Sequence, residues 1–214
     1  MNKRLLEDYK TMMVDHIRME GYQQAIQKIC PGKVVCEIGV GLAPLSLMAL
    51  RAGATRVYGI ELEEETLVLA TEIMAENGYG PDRFIPIKGL STQIELPEQA
   101  DVILSETLDS IGIGENTARY MADARSRFMK PNGSFLPKAL SCHVALSSPK
   151  TFRDSLAFWT ETMPSKHKLS YAGAAAYFKG CKHTMPIKNN EIYSAWVDWQ
   201  HIDFLDESTY RRLV

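Results

Sequence analysis

The chain has 214 residues, 45% of them hydrophobic and 23% charged, which is ordinary globular composition and excludes a disordered or collagen-like protein. Twenty-four basic against 26 acidic residues leave a formal charge of −2, which argues against a protein held to nucleic acid by phosphate contacts. No apolar run approaches the ~20 residues of a membrane helix, and MNKRLLEDYK has no signal-like apolar core. The four cysteines (Cys30, Cys36, Cys142, Cys181) form no C-x-x-C pair, so reduced thiols and a cytoplasmic location are expected.

Residues 4–29 carry apolar positions near the helical period and predict one helix, stopped by Pro31-Gly32. KVVCEI (33–38) predicts a buried strand, 44–53 a helix closed by Gly53, and RVYGIE (56–61) a second strand. Residues 63–78 predict a helix, RFIPIK (83–88) a third strand in spite of Pro86, and DVILSE (101–106) a fourth. A helix over 117–129, a turn at Pro131-Asn132-Gly133 and an extended GSFLP follow. Farther on, SCHVALSS and EIYSAWVDW (191–199) alternate like strands, and TFRDSLAFW reads as helix. Alternating strands and helices predict an α/β fold with a Rossmann-like, doubly wound, mostly parallel sheet. The expected division is a helix over 1–30 capping the cofactor, a nucleotide-binding domain over 31–137, and a partial or reduced β-rich substrate region over 138–214.

In such sheets the ligand lies beyond the carboxyl ends of the strands. Three predicted strands end there in acids: Glu37, Glu61 and Glu106. Gly39 and Gly41 follow the first strand, where a backbone without Cβ can turn tightly and approach a ligand. The third glycine of G-x-G-x-x-G is replaced by Pro44. Glu61 closes the second strand, where a carboxylate can accept both ribose hydroxyls. Glu37 disfavours a pyrophosphate and suits a cationic cofactor, which places S-adenosyl-L-methionine (SAM) ahead of NAD. Glu115 follows Glu106 by nine residues, across the loop SETLDSIGIGE. Two carboxylates can grip a planar guanidinium and draw its positive charge away from one nitrogen.

VVCEIGVGLAPLSLMALRAGATRVYGIE resembles the cofactor region of the protein arginine methyltransferases, and YKTMMVDHIR matches that family's amino-terminal helix at Met12, Asp15 and Arg18. The resemblance covers about residues 5–140 and implies a class I SAM-dependent methyltransferase that releases S-adenosyl-L-homocysteine. It implies cofactor contacts from Arg18 (to the methionine carboxylate), Glu37, Gly39, Gly41, Glu61 and Leu62. The segment IKGLSTQIELP resembles the adenine-side loop and adds Gly89, Leu90 and Ser91; Thr92 stands where the family has a glutamate, and Tyr9 where it has histidine. Glu106 and Glu115 resemble the family's catalytic pair. Met12 and Asp109 are implied at the substrate, and Thr107-Leu108-Asp109-Ser110 is most similar to the monomethylating, type III branch.

The implied partners are an arginine-containing protein or peptide, or free arginine, with no nucleic acid or membrane, and a homodimer. The family's threonine-histidine-tryptophan loop is not found; Trp199-Gln200-His201 reads as the end of a strand. Cys142-His143 and Cys181-x-His183 lack four-ligand zinc spacing, so no metal is expected. Two other readings stay open: methylation of another small metabolite, and a catalytically silent SAM-fold partner module.

Overall fold

The computed structural model describes residues 3–108, 115–183 and 185–209. The chain begins with α1 (Lys3–Met13) and α2 (His16–Ile29). The single helix expected over 4–29 is thus two. Asp15 is the reason: its carboxylate caps α2 by accepting the Arg18 amide at 3.1 Å, and aspartate favours such a position over a helix interior. Then follow β1 (Val34–Ile38), α3 (Pro44–Arg51), β2 (Arg56–Glu61), α4 (Glu64–Glu76), β3 (Phe84–Lys88), β4 (Ala100–Ser105), α5 (Thr117–Arg127) and β5 (Met129–Leu136).

The five strands form one parallel sheet in the order β3-β2-β1-β4-β5. Consecutive strand residues face opposite ways, and both faces are covered. Val35, Val57, Phe84, Val102 and Leu104 pack with Ile26 of α2, Leu45 and Ala49 of α3, and Leu67 and Ala70 of α4. Cys36, Ile38, Tyr58, Ile60, Ile103 and Phe135 pack on the other face with Ala118, Met121 and Ala124 of α5. Pro86 lies in the edge strand β3, where its missing N–H is tolerated. Pro131-Asn132-Gly133, expected as a turn, lies inside β5. There the register shifts: Ala100 pairs Met129, but Val102 already pairs Ser134. The turn residues are absorbed as a bulge-like irregularity rather than ending the strand.

Two compact units result: residues 1–140 with 201–214, and residues 141–200. The second opens on β6 (Ala139–Val144) and continues through α6 (Lys150–Ala157), a π-helical turn (Phe158–Thr162), α7 (Met163–His167) and α8 (Ala172–Gly180). Phe152, Phe178 and His183 stack within it, with ring centroids 4.2–5.4 Å apart. The expected β-rich region therefore contributes β6 and β7 (Val197–Asp203), paired in a small sheet, with mainly helix between them. Of the strand expected over 191–199 only its end is found; Asn189–Glu191 is a 3-10 turn. Trp199-Gln200-His201 lies in the middle of β7, not at a strand end. The chain's return places Ile202 and Phe204, both fully buried, in the core of the first unit.

Candidate active site

The site lies at the carboxyl ends of β1, β2 and β4, within the first unit. Two clefts meet at Gly39. One, enclosing about 490 Å³ open to solvent, is lined by Met12, Arg18, Glu37, Gly39, Gly41 and Glu106, with Tyr9, Met13, Met19 and Tyr22. The other, of about 670 Å³, is lined by Gly39, Glu61, Leu62, Gly89, Leu90, Ser91, Thr107, Glu115 and Tyr120. Every expected site residue among those described lines one or both. Asp109 lies outside the described residues. Thr92 faces a separate surface depression with Gln93, Arg119 and Asp123.

The glycine turn is built from backbone that other residues resist. Gly39 and Gly41 have φ of +74° and +52°, the left-handed region. A Cβ on Gly39 would meet the Thr107 methyl at 2.9 Å, and one on Gly41 the Tyr9 ring at 2.8 Å. Ala43 also holds a left-handed φ of 62° at the start of α3.

Each acid is held differently. Glu61 accepts the amides of Gly41 (3.0 Å), Leu62 (2.8 Å) and Glu63 (3.1 Å), so its carboxylate is pinned across the turn. Glu37 is buried and accepts a short hydrogen bond from Ser46 Oγ in the first turn of α3. Burial pushes its carboxyl up to about 8, and Glu61 and Glu106 add to the rise, while Ser46 opposes it. Without a cation beside it, Glu37 is therefore mostly protonated at neutral pH.

Glu106 follows β4 and pairs with Arg18, Nη1 to Oε1 3.2 Å, while Arg18 Nε lies 3.5 Å from Asp15. Burial raises the Glu106 carboxyl above its ordinary range; Arg18 lowers it, and Glu115 and Asp15 raise it. Tyr22, one helical turn beyond Arg18, donates its hydroxyl to the Ser105 carbonyl at 3.1 Å. Arg18 thus lines the same cleft as Gly41 and is engaged there by an acid. Glu115 is exposed and lines the other cleft, so the two expected catalytic acids communicate through charge rather than sharing one wall.

Tyr22, Ser46 and Thr117 have no role in the sequence reading, and Thr107 enters it only within the stretch 107–110. Tyr22 was findable as the residue four after Arg18 on a helix face, and Ser46 as a polar residue in the first turn of an apolar helix. The threonines carried no local signal.

Parallel strand order, a glycine turn after β1 and an acid after β2 define a Rossmann-like nucleoside-cofactor domain. No family model matches the chain. Among curated proteins, the probable protein arginine N-methyltransferase 6 of Arabidopsis thaliana is 34% identical over 155 residues, covering 71% of this chain and 35% of that protein. The protein arginine N-methyltransferase 6 of Xenopus laevis is 32% identical over 159 residues, 72% of this chain and 45% of that one. The Trypanosoma brucei PRMT1 enzyme–prozyme heterotetrameric complex with AdoHcy superposes with a TM-score of 0.80 at 22% identity, over 92% of this chain and 61% of that chain. Protein arginine methyltransferase 10 of Arabidopsis thaliana superposes with a TM-score of 0.75 at 23% identity, over 94% and 63%. The part of this chain that matches belongs to the protein arginine N-methyltransferase family. The chain spans 35–45% of the length of these curated relatives.

Proposed function

We propose that this chain carries the cofactor and acid-bearing site of a SAM-dependent N-methyltransferase acting on a guanidino nitrogen of arginine. The observation that carries this reading is the Arg18–Glu106 pair: the acid at the end of β4 grips a guanidinium at 3.2 Å beside the glycine turn.

The residues fit the cofactor. A close-approach turn at Gly39 and Gly41 has no room for a Cβ. Glu61, whose oxygens retain acceptor capacity beyond three amides, suits a ribose diol. Leu62, Gly89, Leu90 and Ser91 line the nucleoside side, and Arg18 suits a carboxylate. Glu37 suits an ammonium, which would draw its carboxyl into the charged form. SAM supplies an electrophilic methyl group on a sulfonium and leaves as S-adenosyl-L-homocysteine.

The chain's own contribution is alignment and charge placement. Glu106, beside Met12, would hold the acceptor guanidinium and draw charge from the attacking nitrogen. With its carboxyl raised by burial and by Glu115, it is also the better placed to accept the released proton.

Protein, peptide and free arginine all satisfy this chemistry. Transfer of a single methyl group rests on the resemblance at Asp109, and a homodimer on the family's habit. The buried thiols Cys30 and Cys36 suit the reducing cytoplasm.

The test is methyl transfer to an arginine peptide by wild type, Glu106→Gln and Glu115→Gln. Full activity in both variants, with S-adenosylhomocysteine binding intact, would overturn the paired-acid reading. A second reading, a silent SAM-fold partner module, is favoured by Thr92, which stands where the family has a glutamate and faces a separate depression with Gln93, Arg119 and Asp123. Calorimetry with S-adenosylhomocysteine separates them: no heat at millimolar ligand supports the silent module. A third, another small-metabolite acceptor, is separated by mass spectrometry of the methylated product.

A further inference from the structure

Beside Glu106 runs a connected series of hydroxyl side chains. Thr117, the fully buried first residue of α5, donates a short hydrogen bond to the Thr107 carbonyl. Thr107 Oγ1 lies 3.0 Å from Ser105 Oγ, and Ser105 Oγ donates to the Ile38 carbonyl at 3.2 Å. Each hydroxyl has one proton to give. Ser105 gives its proton to Ile38 and Thr117 to the Thr107 carbonyl, so the Thr107 proton is shared between Ser105 Oγ at 3.0 Å and Thr117 Oγ1 at 3.3 Å. The bonds thus link the start of α5 to the end of β1. Ser105 and Thr117 are 1% and 0% exposed, so bulk water does not replace a lost partner.

These bonds tie together the two places from which the acids project. Glu106 stands between Ser105 and Thr107, and Glu115 lies two residues before Thr117. The Thr107 methyl meanwhile closes on the turn, 2.9 Å from where a Gly39 Cβ would stand. One threonine thus touches the glycine turn with its methyl and the loop's other end with its backbone carbonyl.

We propose that Ser105, Thr107 and Thr117 form a hydroxyl clasp that positions Glu106 and Glu115 relative to each other and to the Gly39 turn. They are positioning residues, and the catalytic consequence of the clasp rests on the methyltransferase reading above. Side-chain hydroxyls that fix acceptors on three elements restrict both ends of the acid-bearing segment at once.

The experiment uses the full chain and Thr117→Val, which keeps the shape and removes the hydroxyl, with Thr117→Ser, which keeps the hydroxyl. Thr107→Val breaks the series at its centre and carries the test if Thr117→Val does not fold. Amide hydrogen exchange is followed over 102–108 and 115–121, together with S-adenosylhomocysteine affinity, kcat and KM for an arginine peptide. The expected result is exchange at least tenfold faster at both ends of the segment in the valine variants. With it, in Thr117→Val kcat falls at least tenfold while S-adenosylhomocysteine affinity stays within threefold, and Thr117→Ser restores both the exchange and kcat. The double valine variant should lose no more than either single one. Wild-type exchange at both ends in the valine variants would overturn the clasp, as would an equal loss in Thr117→Ser. If wild type transfers no methyl group, the functional reading fails, and the exchange pattern alone decides the clasp.

Discussion

Arg18 and Glu106 are 88 residues apart in the chain and 3.2 Å apart in the fold. The pair ties α2 to the end of β4 and leaves one guanidinium facing two prospective anions, Glu106 and a ligand carboxylate. A hydrogen bond to a charged group is worth about 1.5–3 kcal/mol. Arg18→Ala should weaken S-adenosylhomocysteine binding by about tenfold or more on that scale. Arg18→Lys should recover only part of the loss, because an ammonium lacks the bidentate fork. Since Arg18 lowers the Glu106 carboxyl, the alanine variant should also shift Glu106 upward, visible in a carbon-13 carboxyl titration.

Glu37 gives the protein a pH-dependent stability. Its carboxyl is at about 8 when folded against an ordinary 4.5. Between those values the folded state holds a proton that the unfolded chain has released. Stability contributed by the group is therefore full below the unfolded value and falls as pH rises, by up to about 1.4 kcal/mol per pH unit. Thermal melts from pH 5 to 8 should show this decline, and Glu37→Gln should flatten it. Binding a cation beside Glu37 at pH 7 should release up to about one proton, measurable by calorimetry in buffers of different ionisation heat.

Ala43 sits at φ 62° and is fully buried. Left-handed backbone costs a non-glycine residue about 1–2 kcal/mol, which glycine avoids while losing a buried methyl and gaining unfolded-state freedom. Ala43→Gly should therefore stay within about 1 kcal/mol of wild type in denaturant unfolding. Ala43→Val, β-branched and larger, should lose more than about 2 kcal/mol.

Phe204 is 0% exposed and meets Phe135 edge-on, ring centroids 6.1 Å apart. Phe204→Ala should destabilise the first unit by about 3–5 kcal/mol. Urea unfolding followed by a probe in that unit checks this.

The centre of the sheet was legible because β1, β2 and β4 are short apolar runs that close on an acid, Glu37, Glu61 or Glu106. The break at Asp15 was not legible, because the apolar period runs on at either side of it and hides the cap it gives to α2. Pro131-Asn132-Gly133 has turn chemistry, and pairing with β4 overrode it. The Arg18–Glu106 pair, the Ser46 bond to Glu37 and the threonines at 107 and 117 depend on which strand ends meet. No local pattern encodes that, and neither does the return of Ile202 and Phe204 to a core begun at Val34.

That return has a consequence for how the chain is made. Lys138 accepts the Phe204 amide at 3.0 Å, so the first unit binds its own two segments together although residues 141–200 separate them in sequence. The cofactor-side sheet is fully translated by Leu136, yet one of its faces stays partly bare until Phe204 emerges. At about 5–20 residues per second, the wait after Leu140 is roughly 3–13 s. During it, Ile103 and Phe135 await part of their cover, so synthesis rather than collapse sets the pace of the last folding step.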